Sequence, residues 1–185
     1  MSLHTSDIAN IALPTSLAAI CNCSDIRVYL TTLTGDIREA RYSPDTSWTG
    51  GTSNDVVAAA KPDSPIAASA VKLDSKRIYY LSEKNTLQEA CSDGSGKWSA
   101  SGLGRVGIKV ASYSGLAAVI FGEREMIRVY AQLENNSVQE YCYDEGEGWT
   151  VGSNLGPALP GTSTAATSWE SDGTSVRYVD IERPD

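Results

Sequence analysis

The chain has 185 residues, enough for one domain with a sizeable core, and its 41% hydrophobic and 21% charged residues describe a folding globular protein. A formal net charge of −8 without any Lys/Arg cluster argues against nucleic acid or an anionic membrane as the main partner. Met1 to Ile20 shows neither a basic n-region nor an unbroken apolar stretch, and no run approaches the ~20 apolar residues of a membrane-spanning helix, so no membrane insertion is expected. The expectation is a soluble cytoplasmic protein, or one released without a signal peptide.

The first element in chain order is a small apolar strand, Leu17-Ala18-Ala19-Ile20. Ile26-Arg27-Val28-Tyr29 follows, alternating apolar and polar as a half-buried strand does. A turn at Leu33-Thr34-Gly35-Asp36 leads to a strand with Ile37-Arg38-Glu39, and a fourth strand starts at Trp48-Thr49-Gly50-Gly51. The same order returns with Ile66-Ala67-Ala68, Arg77-Ile78-Tyr79-Tyr80, Leu87-Gln88-Glu89 and Lys97-Trp98. It returns again with Leu116 to Ile120, Ile127-Arg128-Val129-Tyr130, Val138-Gln139-Glu140 and Gly148-Trp149-Thr150. A fourth unit has Thr164 to Thr167 and then Val176-Arg177-Tyr178-Val179.

The intervals repeat. Arg to Glu is 12 residues and Glu to Trp is 9 in each of the first three units, and Arg177 stands 49 residues after Arg128. Four short strands per unit of about 50 residues describe a β-propeller blade. The reading is therefore all-β: a single partial propeller domain over 1–185, built of four-stranded antiparallel blades. Blade 1 is expected at about 15–52, blade 2 at about 64–102, blade 3 at about 114–153, and a half blade 4 at about 162–180. Three and a half blades leave open sheet edges; two copies would complete a ring of six or seven, so a homodimer is expected, the alternative being a fragment or shortened form of a longer chain.

Arg27, Glu39 and Trp48 form the first repeated trio, Arg77, Glu89 and Trp98 the second, and Arg128, Glu140 and Trp149 the third. An arginine fork donates to adjacent sugar oxygens, an ionised glutamate accepts from hydroxyls, and an indole offers a flat wall to C–H groups. Tyr143 adds a wall in the third unit, where the first has Tyr42 and the second Ser92, so the second site is expected to be the weakest. The same trio also fits plain architecture, with Arg and Glu as a cross-strand ion pair and Trp as core; the tyrosine ending each second strand is assigned to that structural role.

Arg-Val-Tyr followed by Ile-Arg-Glu-Ala and Trp-Thr-Gly-Gly resembles the fungal fucose-specific lectin family, typified by the six-bladed propeller of Aleuria aurantia lectin. The joins Asp55-Val56-Val57 to Ala67-Ala68 and Gly102 to Val110 resemble that family's first two, so the chain is similar to its N-terminal half. The resemblance implies pockets for L-fucose and fucosylated glycans in the clefts between blades, acting by multivalent binding. By position they would use Arg27, Glu39 and Trp48; Arg77, Glu89 and Trp98; and Arg128, Glu140, Tyr143 and Trp149. Arg177 has no Glu partner before Asp185, and no pocket is expected there.

Two rivals remain: a propeller glycoside hydrolase and a protein-interaction scaffold that binds no sugar. Hydrolysis needs two carboxylates about one bond, whereas each unit repeats a single Glu. His4, the sole histidine, lies in an expected loose tail, which disfavours a catalytic triad or a His-rich metal site. Asp144-Glu145-Gly146-Glu147 reads as a solvated hairpin rather than a calcium loop, and Cys21, Cys23, Cys91 and Cys142 read as free thiols. No catalytic residue, metal or cofactor is assigned.

Overall fold

The computed structural model describes residues 15–184 apart from 23, 123–124 and 172–173. The readings placed on His4 and Cys23, and on the domain's first 14 residues, lie outside the described residues. The architecture is all-β, with three four-stranded antiparallel arrays and a two-stranded one. Sheet 1 runs β1 (Leu17–Asn22), β2 (Asp25–Thr31), β3 (Asp36–Ser43) and β4 (Ser47–Gly50), with β5 (Val56–Ala59) also on β3. Sheet 2 runs β6 (Ala67–Lys72), β7 (Ser75–Leu81), β8 (Leu87–Ser92) and β9 (Trp98–Ala100). Sheet 3 runs β10 (Leu116–Phe121), β11 (Met126–Gln132), β12 (Ser137–Asp144) and β13 (Gly148–Pro157). Sheet 4 pairs β14 (Ala165–Ser171) with β15 (Thr174–Asp180).

The inner strands contact one another in chain order: β1 touches β6, β6 touches β10, and β10 touches β14. Their alanines allow that approach, since Ala67 and Ala117 are buried where larger side chains would hold the sheets apart. Because successive side chains alternate between faces, the second strands of sheets 2 and 3 each feed two cores. Tyr79 and Leu81 pack with Ile127, Val129 and Leu116 between sheets 2 and 3. Tyr130, Val119 and Ala117 pack with Ala166 and Val179 between sheets 3 and 4. Tyr29 and Ile37 pack with Ile78 and Tyr80 between sheets 1 and 2.

A polar clasp recurs at the start of each unit. Thr15 Oγ1 accepts from Thr31 N–H at 3.3 Å, Ser64 Oγ from Leu81 N–H at 2.8 Å, Ser114 Oγ from Gln132 N–H at 2.7 Å and Thr162 Oγ1 from Glu182 N–H at 2.9 Å. The hairpin joining second and third strands also recurs. Gly35, Asn85 and Asn136 all hold positive φ, at 88°, 55° and 66°, which glycine and asparagine tolerate best. Their carbonyls accept from Ala60, Val110 and Ala158 N–H, so each join docks on the hairpin before it.

Two features of the joins were absent from the sequence reading. Val56–Ala59 forms an extra strand, and α1 (Leu103–Val106) makes one helical turn with Leu103 fully buried. Both are too short to show a period.

Candidate functional site

Period-two alternation puts Arg27 and Tyr29 on one face of β2, and the register sets Glu39 opposite Tyr29. The same pairing sets Tyr79 opposite Glu89 and Tyr130 opposite Glu140. Each tyrosine is buried and donates to its glutamate: Tyr29 Oη to Glu39 Oε2 at 3.1 Å, Tyr79 to Glu89 Oε1 at 2.9 Å, and Tyr130 to Glu140 Oε1 at 2.9 Å. These tyrosines, expected from sequence to be purely structural, are the groups that aim the carboxylates. Burial first, then the adjoining carboxylate, pushes all three hydroxyls above the usual tyrosine range.

The middle cleft, between sheets 2 and 3, gathers the most groups. Arg77 Nη1 donates to Glu89 Oε1 at 3.0 Å and to Cys91 Sγ at 3.2 Å, while Nη2 reaches Glu125 Oε2 at 2.5 Å. Ser101 Oγ also donates to Glu89 Oε2, and Ser75 Oγ to Glu125 at 2.9 Å. Trp149 sets its ring edgewise against Tyr79, 6.2 Å between centroids at 78°, and Tyr143 lies 5.8 Å from the Arg77 guanidinium carbon. Burial tends to raise the Glu125 carboxyl, but its hydrogen bonds with Arg77 and Ser75 hold it below the usual range. Burial, aided by Glu89, pushes the Cys91 thiol up to about 11.

The first cleft, between sheets 1 and 2, differs. Arg27 Nη1 donates to the carbonyls of Ile26 and Tyr42, at 2.9 and 3.3 Å, and makes no ion pair with Glu39 among the described residues. Lys76 Nζ from sheet 2 lies 3.3 Å from Glu39 Oε2 and 5.5 Å from the centroid of the Trp98 ring, which packs edgewise on Tyr29 at 5.8 Å. Arg41 Nε stands 3.8 Å from Glu39 Oε1 while its Nη2 bonds Asp55 Oδ1 at 2.7 Å.

In the third cleft, Arg128 again turns to carbonyls, those of Ile127 and Tyr143, and its two Nη atoms grip Asp144 at 3.0 and 3.2 Å. Asp144, read from sequence as part of a solvated hairpin, therefore has an arginine partner. Glu140 takes Tyr130, the Ser153 N–H at 3.2 Å, and a looser Arg177 at 3.8 Å. Burial works against ionisation of Glu140, but the Ser153 and Tyr130 hydrogen bonds hold its carboxyl below the usual range.

The trios grouped from sequence are therefore divided across blades. Trp98 belongs with Glu39, and Trp149 and Tyr143 belong with Arg77 and Glu89, because the register row Ile127, Tyr143, Trp149 faces the preceding sheet. Trp48 packs on Tyr42 in a tilted pair with centroids 5.4 Å apart on the opposite flank of sheet 1, is half exposed at 48%, and meets neither Arg27 nor Glu39. Ser92 thus thins the wall of the first cleft and not of the second. Arg177 is corrected as well. Its strand neighbour Val179 packs toward sheet 3, so Arg177 occupies the position of Ile127 and Lys76, facing back to Glu140, rather than that of Arg128. Glu125, Lys76, Arg41 and Cys91 were missed; a charge where Ile26 and Ile127 stand elsewhere was the available signal for Lys76.

Radially repeated antiparallel sheets with a polar and aromatic cleft at each junction define a protein built of β-propeller blades. The chain belongs to the fungal fucose-specific lectin family, whose sequence model matches residues 11–182. It is 39% identical over 184 residues to a fucose-specific lectin of Aspergillus fumigatus, covering 98% of this chain and 55% of that protein. It is similar to SapL1 lectin, solved in complex with alpha methyl fucoside, with a TM-score of 0.88 and 39% identity over 96% of this chain and 58% of the other. It is also similar to the six-bladed Aleuria aurantia lectin, with a TM-score of 0.59 and 30% identity over 92% of this chain and 72% of that one. The chain spans little more than half the length of the curated relatives it matches.

Proposed function

We propose that this chain binds L-fucose and fucosylated glycans in the clefts between its sheets, breaking no bond, and that a second copy completes the ring. The observation that carries this is the middle cleft, where Arg77, Glu89, Tyr143 and Trp149 converge from two sheets. Arg77 Nε is buried without a partner among the described residues, a donor that a sugar oxygen would satisfy. Glu89 is aimed by Tyr79 and accepts hydroxyl hydrogens, and the two aromatic side chains offer apolar surface to the methyl group and C–H face of a deoxyhexose. The relatives' names and the fucoside in SapL1 lectin support the choice of sugar.

The middle cleft does hold two carboxylates, Glu89 and Glu125, but both are paired to the Arg77 guanidinium, and Glu125 is held ionised. A glycosidase keeps one carboxyl protonated as its acid, which this pairing opposes. One small pocket gives modest affinity, and several on a rigid ring raise avidity roughly 10²–10⁴-fold on a glycan-coated surface. Exposed Trp48 and Val56 on sheet 1 and Trp169 and Tyr178 on sheet 4 are apolar surface suited to cover by a partner copy.

Titration calorimetry with methyl-α-L-fucoside, galactose and mannose tests the reading. Heat from the fucoside alone, lost in Arg77→Ala at the middle site, is the expected result. Equal heats from all three sugars, or none from any, would overturn it.

A further inference from the structure

The register sets Lys76, Ser92 and Trp98 in one row facing sheet 1, where the next sheet has Ile127, Tyr143 and Trp149 facing sheet 2. Lys76 thus replaces the apolar residue of the cleft wall with an ammonium. That side chain is only 7% exposed, and Glu39 only 5%. Glu39 Oε2 already takes the Tyr29 hydroxyl at 3.1 Å and Lys76 at 3.3 Å, while Oε1 faces Arg41 at 3.8 Å. The same ammonium stands 5.5 Å from the Trp98 ring centre, as a cation over an indole. The acceptor and the aromatic surface of this cleft are therefore both engaged by one side chain of the chain itself. Arg27 bonds backbone carbonyls rather than its glutamate, while in the middle cleft, where Ile127 stands in place of Lys76, Arg77 reaches Glu89 at 3.0 Å.

We propose that Lys76 is a built-in occupant of the first cleft, lowering its affinity for a neutral sugar and so making the clefts unequal. This rests on the fucose reading. A sugar entering the first cleft must displace an ammonium from a buried carboxylate, and a buried pair of this kind is broken at high cost. Salt screens it little, so ionic strength does not relieve it. Replacing Lys76 by the isoleucine found at 127 leaves Glu39 to Arg27, and the first cleft takes on the arrangement of the middle one.

The test uses an Arg77→Ala/Arg128→Ala background, in which the first cleft alone keeps the arginine that precedes its tyrosine by two residues. Lys76→Ile in that background is titrated with methyl-α-L-fucoside beside the same chain with Lys76. The expected result is at least tenfold tighter binding with isoleucine. Lys76→Met, which keeps an unbranched apolar stem and removes the charge, gives the same gain and serves where Lys76→Ile fails to fold. Unchanged or weaker binding in a folded variant overturns the proposal, since Lys76 would then be neutral or a sugar donor. Absence of binding by the native chain, with every cleft intact, overturns the fucose reading and this proposal with it, whereas binding by the native chain without gain in the variants overturns this proposal alone.

Discussion

Arg77 is the residue on which the middle cleft turns, because its guanidinium joins Glu89, Cys91 and Glu125 across two sheets. Tyr79 is the residue that aims Glu89, fully buried and donating at 2.9 Å. Tyr79→Phe is expected to lose about 1.5–3 kcal/mol of stability by urea unfolding, the net worth of a hydrogen bond to a charged group. It is also expected to weaken fucoside binding several-fold in calorimetry; unchanged affinity would show that the hydroxyl does not position the carboxylate. The intervals of Arg, Glu and Trp were legible in the sequence, but their grouping was not. Alternation in a strand decides which neighbouring sheet a side chain faces, and the Trp row faces the opposite way from the Arg–Glu row. Arg177 shows how sharp this is: an interval of 49 residues after Arg128, against 50 and 51 between the earlier arginines, accompanies its turn to the other face.

At the scale of elements, the strands were legible because small, alternating and turn-forming stretches recur at fixed intervals. The clasps that hold them were not, since a lone Ser or Thr ahead of a strand carries no distinct pattern. Ser64→Ala removes the acceptor for the buried Leu81 N–H, and about 1–3 kcal/mol of destabilisation is expected in urea unfolding, the cost of an orphaned buried donor. Gly35 is required at its turn: φ is 88°, and a Cβ there would run into the Ala60 carbonyl oxygen. Gly35→Ala is expected to cost at least about 1 kcal/mol, read from the same experiment. A loss confined to a few tenths would contradict the role given to this hairpin in docking the join. Strand β5 and helix α1 escaped the sequence reading because their pairing is set by sheet and core neighbours rather than by their own few residues.

For the whole molecule, the buried acids set how stability changes with pH. The unfolded Cys91 thiol ionises near 9 and the folded one near 11, so the folded state binds more protons between those values. Its contribution is complete below about pH 9 and declines as pH rises to 11; the raised hydroxyls of Tyr29, Tyr79 and Tyr130 act with the same sign from about pH 10. At the other end, Glu125 and Glu140 titrate below the ordinary 4.5, so their contribution is present above that value and is lost as pH falls through their lowered range. Urea unfolding at pH 9 and pH 11 is expected to show the alkaline loss, reduced in Cys91→Ser. An identical loss in that variant would remove Cys91 from the explanation. Sedimentation mass checks the ring: twice 19.7 kDa is expected for a chain completed by its own copy, and a single-chain mass would contradict it.

The middle cleft is the proposed site for the sugar. A crystal structure grown with methyl-α-L-fucoside tests that most directly. The expected result is a fucoside between sheets 2 and 3, its hydroxyls on Arg77 and Glu89 and its apolar face on Trp149. A fucoside bound away from these residues, with the middle cleft unaltered at saturation, would contradict the account.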